Sequence, residues 1–364
     1  MSAAIRTIAL LAPGNSIHAQ RWANAFAQRG ITVHLITQHT PLPGMDARVV
    51  LHLLPHHGGL GYFTNGPQVR RLLRHLVPDV VNAHYATGYG TLARWCKPFP
   101  LVLNVWGSDV YDFPAKGALH RWWLCGNLKH ADRVASTSEA MADHTRLLCP
   151  VLARPAVVPF GVDLALFRPM PRPSRPLAPL VVGTVKTLAH MYGIDLLLRA
   201  FALLVGGAGF TQARLRIVGN GPQRRELMQL AADLGIADRV DMAGGVAHGR
   251  VPEELHKLDV FVALSRAESF GVAVVEASAC GLPVVVSDAG GLPEVVKDGV
   301  TGFVVPDGDP QEAANRIGQL LADGALRGRM GAQGVRFVNG HYEWGYCVDR
   351  MLEVLRSTVE AHRK

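Results

Sequence analysis

Val260-Phe-Val-Ala-Leu264, Glu268-Ser-Phe-Gly-Val-Ala-Val-Val-Glu276 and Gly281-Leu-Pro-Val-Val285 carry the deciding pattern of this chain. The first run is apolar and rich in β-branched residues, as a buried strand requires. The second turns at Gly271 into an apolar helix that ends near Gly281-Leu282-Pro283. The strand Pro283–Ser287 follows at once. A strand, a crossover helix and a second strand form a parallel β-α-β unit. The helix start carries unsatisfied N–H groups and the positive end of the helix dipole, which suit a diphosphate. Glycine at 271 lets a phosphate approach the backbone closely. Glu276 lies about 7 Å further along the helix, placed to accept hydrogen bonds from ribose hydroxyls. Glu268, before the turn, is placed to accept them from sugar hydroxyls. On these residues alone, a surface-loop Glu268 and a solvated Glu276 remain open alternatives.

The same alternation extends outward. Ile5–Leu11, Ile31–Thr37, Val49–Leu54, Val80–Ala83, Leu101–Val105 and Arg133–Ser136 read as strands of a first half. Ala19, Trp22, Ala23 and Phe26 fall on one face of a helix between the first two, and Gly30 suits its end. Leu180–Val185, Leu215–Val218, Val240–Met242, Val260–Ala263 and Pro283–Ser287 read as strands of a second half. Five prolines between Pro169 and Pro179 read as a stiff connector. The expected fold is α/β, with two parallel-sheet domains, residues 1–170 and 171–345, facing a cleft. A last helix, within 346–364, closes the second domain or packs back on the first.

Bulk properties narrow the class. The chain has 364 residues, suited to two domains. Hydrophobic residues at 49% and charged residues at 18% argue against disorder. No apolar run reaches the roughly 18 residues that a membrane span needs, and Ile5–Ala12 reads as a first strand rather than a signal peptide. Five cysteines without a C-x-x-C pair fit a reducing cytoplasm. The net charge of +8 favours anionic partners. Nucleic acid is not expected among them, because the basic residues do not interleave with stacking aromatics.

Further motifs follow in order: Asn15-Ser-Ile-His-Ala-Gln-Arg-Trp22, Asp79-Val-Val-Asn-Ala-His84, Trp106-Gly-Ser-Asp109, Val158-Pro-Phe-Gly-Val-Asp163, Gly183-Thr-Val-Lys186 and Val218-Gly-Asn-Gly-Pro222. With the block Val260–Pro306, this series resembles family 4 of the retaining glycosyltransferases over most of the chain. The resemblance implies the GT-B fold of two Rossmann-like domains and similarity to the enzymes of bacterial surface polysaccharide and lipopolysaccharide. It implies a nucleotide-sugar donor, commonly a UDP-sugar, and a saccharide or a polyprenyl or other lipid-linked acceptor. It places Glu268 at the donor sugar, Phe270 and Gly271 with their neighbours Ser269 and Val272 at the diphosphate, and Glu276 at the ribose. It puts the loop of Gly14 and His18 near the donor phosphates. Lys186, a cation at a strand end, is expected to stabilise charge on the leaving diphosphate.

The chain departs from the family pattern at two places. Many members carry an Arg where Lys186 stands and a Lys shortly after it, but His190-Met-Tyr-Gly193 holds none. One phosphate cation is therefore either missing or supplied by Arg266 or His190. Many members carry a His where Trp106 stands, so Asp109 and then His84 are the expected polar contacts with acceptor or sugar. Asp109 as a helix N-cap, and His84 as a core histidine, stay open.

No cofactor and no metal are expected. Asp307-Gly-Asp309 resembles a metal-binding D-x-D, but Asp309 as N-cap before Pro310 explains it. Arg70, Arg71, Arg74 and His75 alternate with Leu72, Leu73 and Leu76 after Tyr62 and Phe63, as in a basic helix lying on an anionic membrane. A solvated helix face stays open as the alternative, so the expected location is the cytoplasm, with the inner face of the cell membrane added where the helix binds lipid. A nucleotide-sugar epimerase of similar fold and a non-catalytic nucleotide-sugar-binding protein are the rival readings. Products formed without acceptor would separate the first, and UDP binding without turnover the second.

Overall fold

The computed structural model describes residues 4–170, 179–207 and 209–363. The chain forms two compact units. Unit 1 is Met1–Pro159 with Gly345–Lys364, and unit 2 is Phe160–Trp344. The division falls at Pro159/Phe160 rather than at 170/171. Of the proline-rich connector, residues 171–178 lie outside the described residues.

Unit 1 holds β1 (Thr7–Leu11), β2 (Thr32–Thr37), β3 (Val49–Leu53), β4 (Val80–His84), β5 (Leu101–Asn104), β6 (Arg133–Ser136) and β7 (Ala156–Val157). They pair in parallel in the order β3-β2-β1-β4-β5-β6-β7. Strands covered on both faces need continuous apolar sequence, and every residue of β4 and β5 is buried. The helix Ile17–Gln28 buries Ala19, Trp22, Ala23 and Phe26, as their spacing predicts. Gly30 adopts φ 77° just past its end.

Unit 2 holds β8 (Val181–Val185), β9 (Arg214–Val218), β10 (Val240–Gly244), β11 (Val260–Ala263), β12 (Val284–Ser287) and β13 (Gly302–Val305). These are also all parallel, in the order β10-β9-β8-β11-β12-β13. In each unit the chain winds outward from the first strand, then returns to that strand's other side with the fourth. This doubly wound order, Rossmann-like in both units, opens a crevice beyond the carboxyl ends of the first and fourth strands. In unit 1 that point lies between β1 and β4. In unit 2 it lies between β8 and β11.

The helix Trp344–His362 returns the chain to unit 1. There Arg29 pairs with Asp349 at 2.9 Å, and Arg133 donates to Ser357 Oγ at 2.7 Å. Two strands escape the sequence reading. β7 has two residues, and β13 opens on a glycine.

Candidate functional site

In unit 2 the crevice is bordered by Lys186, which follows β8, and by the segment 264–271, which follows β11. Lys186 Nζ lies 2.5 Å from Glu268 Oε2 and 4.5 Å from the centre of the Tyr192 ring. Both partners of the ion pair are largely buried. The Glu268 backbone is fixed from the next loop, where Gly291 N–H donates to Glu268 O at 2.9 Å. Gly290, at φ 54°, packs so closely on the same carbonyl that a Cβ would collide with it.

Gly271 sits at φ 101° and starts the helix Val272–Ala279. Its conformation is left-handed, which a side chain disfavours, and a Cβ would lie 2.9 Å from Leu292 Cδ2. No side chain caps this helix, and its first turn has no acidic residue. Its leading N–H groups therefore suit an anion. Glu276, in the same helix, is 5% exposed, and its Oε1 is 2.9 Å from His248 Nε2. The Phe270 ring is buried edge-to-face against Phe160 and Tyr342, so its backbone rather than its ring borders the loop.

In unit 1, Gly14 follows β1 and donates its N–H to Thr37 Oγ1 at 2.9 Å. His84 ends β4 and is 0% exposed. Neither of its ring nitrogens has a hydrogen-bond partner. Burial, with the His18 charge adding, pushes its imidazole down to about 3. Trp106 stands edge-on to both His18 and His84, at centroid distances of 5.8 and 5.1 Å. Asp109 is 0% exposed and accepts backbone N–H bonds from Ala86 at 2.7 Å, Trp106 at 3.0 Å and Gly107 at 2.9 Å. Burial raises its carboxyl above the usual range, and those N–H bonds oppose the rise. Tyr85, next to His84, adopts φ 78°, rare for a residue with a side chain. Its hydroxyl bonds Ser108 Oγ at 2.7 Å.

Two families match, one in each unit. "Glycosyl transferase 4-like" covers residues 7–138, and "Glycosyl transferases group 1" covers residues 170–337. The D-inositol 3-phosphate glycosyltransferase of Xylanimonas cellulosilytica is 37% identical over 94% of this chain and 91% of its own. This chain belongs to the GT4-type glycosyltransferases. Solved structures agree on the fold. Sucrose-phosphate synthase from Thermosynechococcus elongatus superposes with a TM-score of 0.83 at 22% identity, covering 98% of this chain and 100% of its own. Anabaena HepE, solved with UDP and glucose, does so at 0.80 and 20%, covering 97% and 100%. The fold of this glycosyltransferase is thus GT-B, two Rossmann-like domains.

Within unit 2 of the glycosyltransferase, Lys186 and Glu268 meet, with Ser269, Phe270, Gly271 and Val272 in the turn that follows. Arg266 points elsewhere. Its guanidinium makes a two-pronged bond to Asp195, at 2.8 and 2.6 Å, and donates to His190 O at 2.8 Å. Burial pushes the Asp195 carboxyl up, but Arg266 outweighs that and holds it below the usual range. In place of the expected second lysine the transferase has Tyr192, whose ring lies under Lys186.

Within unit 1, His84 and Asp109 are placed differently from the expected polar contacts. His84 lies beneath Trp106, and Asp109 faces backbone. Asp109 ties the segment after β4 to the segment after β5, which holds Tyr85 against Ser108. Nor is it the N-cap that the sequence left open as an alternative, since the helix Asp112–Ala115 is preceded by Tyr111 at that position. The residues that sequence reasoning missed are His248, Tyr192, Tyr85 and Ser108. Tyr192 and Ser108 had a local signal, since the first stands in the stretch where the family's lysine is absent and the second within the motif Trp106–Asp109. Asp309 does cap the helix Pro310–Ala322, accepting from Gln311 N–H at 3.0 Å and Glu312 N–H at 2.9 Å.

Proposed function

We propose that this glycosyltransferase moves a hexose-type sugar from a nucleoside-diphosphate donor to an acceptor hydroxyl with retention at the anomeric carbon. The observation that carries the donor half is the meeting of Lys186 and Glu268 beside the uncapped helix start at Gly271. A cation and free N–H groups are the donors that a diphosphate takes, and carboxylates are the acceptors that sugar and ribose hydroxyls take. Glu276, held by His248, takes the ribose. UDP is the favoured nucleotide, since Anabaena HepE was solved with it.

In the reaction, the bond from the anomeric carbon to the diphosphate oxygen breaks. The acceptor oxygen bonds to that carbon on the same face, and the acceptor proton passes to the departing diphosphate. Lys186 and the Val272 helix start stabilise the charge that develops there. No metal is required in this scheme, and the Asp309 carboxylate is already engaged as a helix cap.

The acceptor is a saccharide or lipid-linked saccharide of surface polysaccharide or lipopolysaccharide synthesis, met at the cytoplasmic side of the membrane. No helix among the described residues is long and apolar enough to cross a membrane. Radiolabelled nucleotide sugars should be tested against soluble and lipid-linked acceptors, with D-inositol 3-phosphate in the panel. The anomeric configuration of the product would be read by NMR. Transfer with inversion would overturn the retaining scheme, and sugar isomerisation without acceptor would favour an epimerase.

A further inference from the structure

Of the five cysteines, Cys125 alone is not buried. It stands on the helix Ala118–His130, and Cys149 follows the helix Glu139–Leu148. The strand β6 separates them in the chain, but the fold of unit 1 brings them together. Cys125 Sγ donates to Leu148 O at 3.4 Å. Arg121, one helical turn earlier, donates to the same carbonyl at 3.0 Å. Cys149 comes next in the chain, and its thiol is within hydrogen-bonding reach of the Cys125 thiol. Cys149 is 2% exposed. Burial, with the Cys125 thiol adding, pushes its thiol up to about 11.

Exposure and contact divide the chemistry between them. Exchange of thiols with a disulfide needs one accessible sulfur and a second within its reach. Cys125 supplies the first and Cys149 the second. Cys96, Cys280 and Cys347 are 1%, 3% and 0% exposed, so a reagent in solution meets Cys125 before them.

Both helices brace the crevice side of unit 1. Asn127, two residues after Cys125, donates to Ala86 O at 2.8 Å and to Thr87 O at 3.1 Å, in the segment that begins at Tyr85. On the other helix, His144 Nε2 lies 3.1 Å from Val110 O. The His144 ring stacks on that of Tyr111 at 4.4 Å, in the segment that holds Trp106 and Asp109. A covalent bond is shorter than a thiol contact. Closing one between Cys125 and Cys149 draws the end of one helix towards the other, and a close-packed interior transmits such strain.

We propose that Cys125 and Cys149 form a thiol–disulfide exchange site, which takes small-molecule disulfides such as oxidised glutathione and closes to an internal bond that displaces the Tyr85 and Trp106 segments. In the first step the Cys125 sulfur, its proton lost to water, bonds to one sulfur of the glutathione disulfide. The bond between the two glutathione sulfurs breaks, and one glutathione leaves as a thiolate that takes up a proton. In the second step the Cys149 sulfur, also deprotonated, bonds to the Cys125 sulfur and expels the second glutathione, which is protonated in turn. Two cysteines are oxidised, and one glutathione disulfide is reduced to two thiols. The second attack is intramolecular, which offsets the scarcity of the Cys149 thiolate. An excess of reduced glutathione runs the exchange backwards, so the site is reversible.

Thiol counting on the full chain tests it. After treatment with oxidised glutathione and then denaturation, the parent should show two fewer free thiols than its five cysteines supply. Mass spectrometry should find the peptides of Cys125 and Cys149 joined, without retained glutathione. Cys125→Ser should lose no thiol, and Cys149→Ala should stop at a single glutathione adduct on Cys125. Sugar transfer by the oxidised parent should fall about tenfold or more, the scale of a small misplacement of positioning groups. It should return with dithiothreitol, and the same treatment should leave Cys125→Ser unaffected. No thiol loss, or loss without the link from Cys125 to Cys149, would overturn the site. A closed bond with transfer unchanged would overturn its effect on the Tyr85 and Trp106 segments. The bond is read without donor or acceptor, so its failure is distinguishable from failure of the transfer reading.

Discussion

Lys186 and Glu268 hold each other at 2.5 Å, although their proposed roles lie at different parts of the donor, the diphosphate and the sugar. Without donor, each neutralises the charge of the other in a largely buried place. A bound donor would let Lys186 turn to phosphate and Glu268 to hydroxyls. Lys186→Ala and Glu268→Ala should each lower kcat by about 10²- to 10³-fold, the scale set by removing one transition-state donor. The double variant should lose less than the product of the two, because either single change leaves a buried charge without its partner. Radiolabelled donor transfer measures all three. Full activity in Glu268→Ala would sink the donor assignment.

His248 should act through Glu276. Removing its imidazole frees the carboxylate to turn but leaves the reacting atoms untouched. His248→Ala should therefore raise the KM for donor by about tenfold, near 1.4 kcal/mol, with kcat little changed. His248→Gln, which keeps a donor, should recover part of the affinity. A fall in kcat at constant KM would assign His248 to another step.

His84 should make the protein sensitive to acid. Its folded imidazole titrates at about 3, against 6.5 when unperturbed. Between those pH values the unfolded chain takes up a proton that the folded chain refuses. Stability should then fall as pH drops below 6.5 toward 3, by up to about 1.4 kcal/mol per pH unit. Urea unfolding at several pH values would read this slope, and His84→Leu should flatten it. An unchanged slope in that variant would show that the acid sensitivity arises elsewhere.

Asp109 should matter to folding before it matters to catalysis. Asp109→Ala takes this acceptor from the buried N–H groups of Ala86 and Gly107 and the half-buried one of Trp106, which costs about 2 kcal/mol or more. The melting temperature should fall clearly, and Asp109→Asn, which keeps one carbonyl oxygen, should fall less. A stable Asp109→Ala with no activity would instead favour direct contact with substrate.

Chelation should change little. If the leaving diphosphate relies on Lys186 and a helix start, transfer should persist in EDTA. Loss of activity that returns with a divalent cation would reject the metal-independent scheme.

How much the sequence discloses depends on the range of each interaction. The alternation of strand and helix is local, so eleven strands can be read from it. β7 and β13 are too short or too glycine-marked to stand out. The turn at Gly271 is local too, since a positive φ before an apolar helix calls for glycine. The partners that decide the site are distant. His248 meets Glu276 across 28 positions, and Lys186 meets Glu268 across 82. Asp109 reads as a polar residue in a loop, but its direction depends on a fold that brings Ala86 and Gly107 to it. Arg266 looks available in sequence because Asp195, which holds it, lies 71 positions away on the helix Ile194–Gly206.

The return of the chain to unit 1 sets an order on its synthesis. Residues 345–364 leave the ribosome after all of unit 2, yet they belong with the residues made before it. Their helix buries Val348, Met351, Leu352, Leu355 and Val359. A nascent unit 1 must therefore wait, with the apolar surface that receives this helix still uncovered, while 185 further residues are made. Domains fold as units during translation, amino-terminal first. In this protein the later-made unit is whole before the earlier one, and the newborn chain is most in need of a chaperone over that interval.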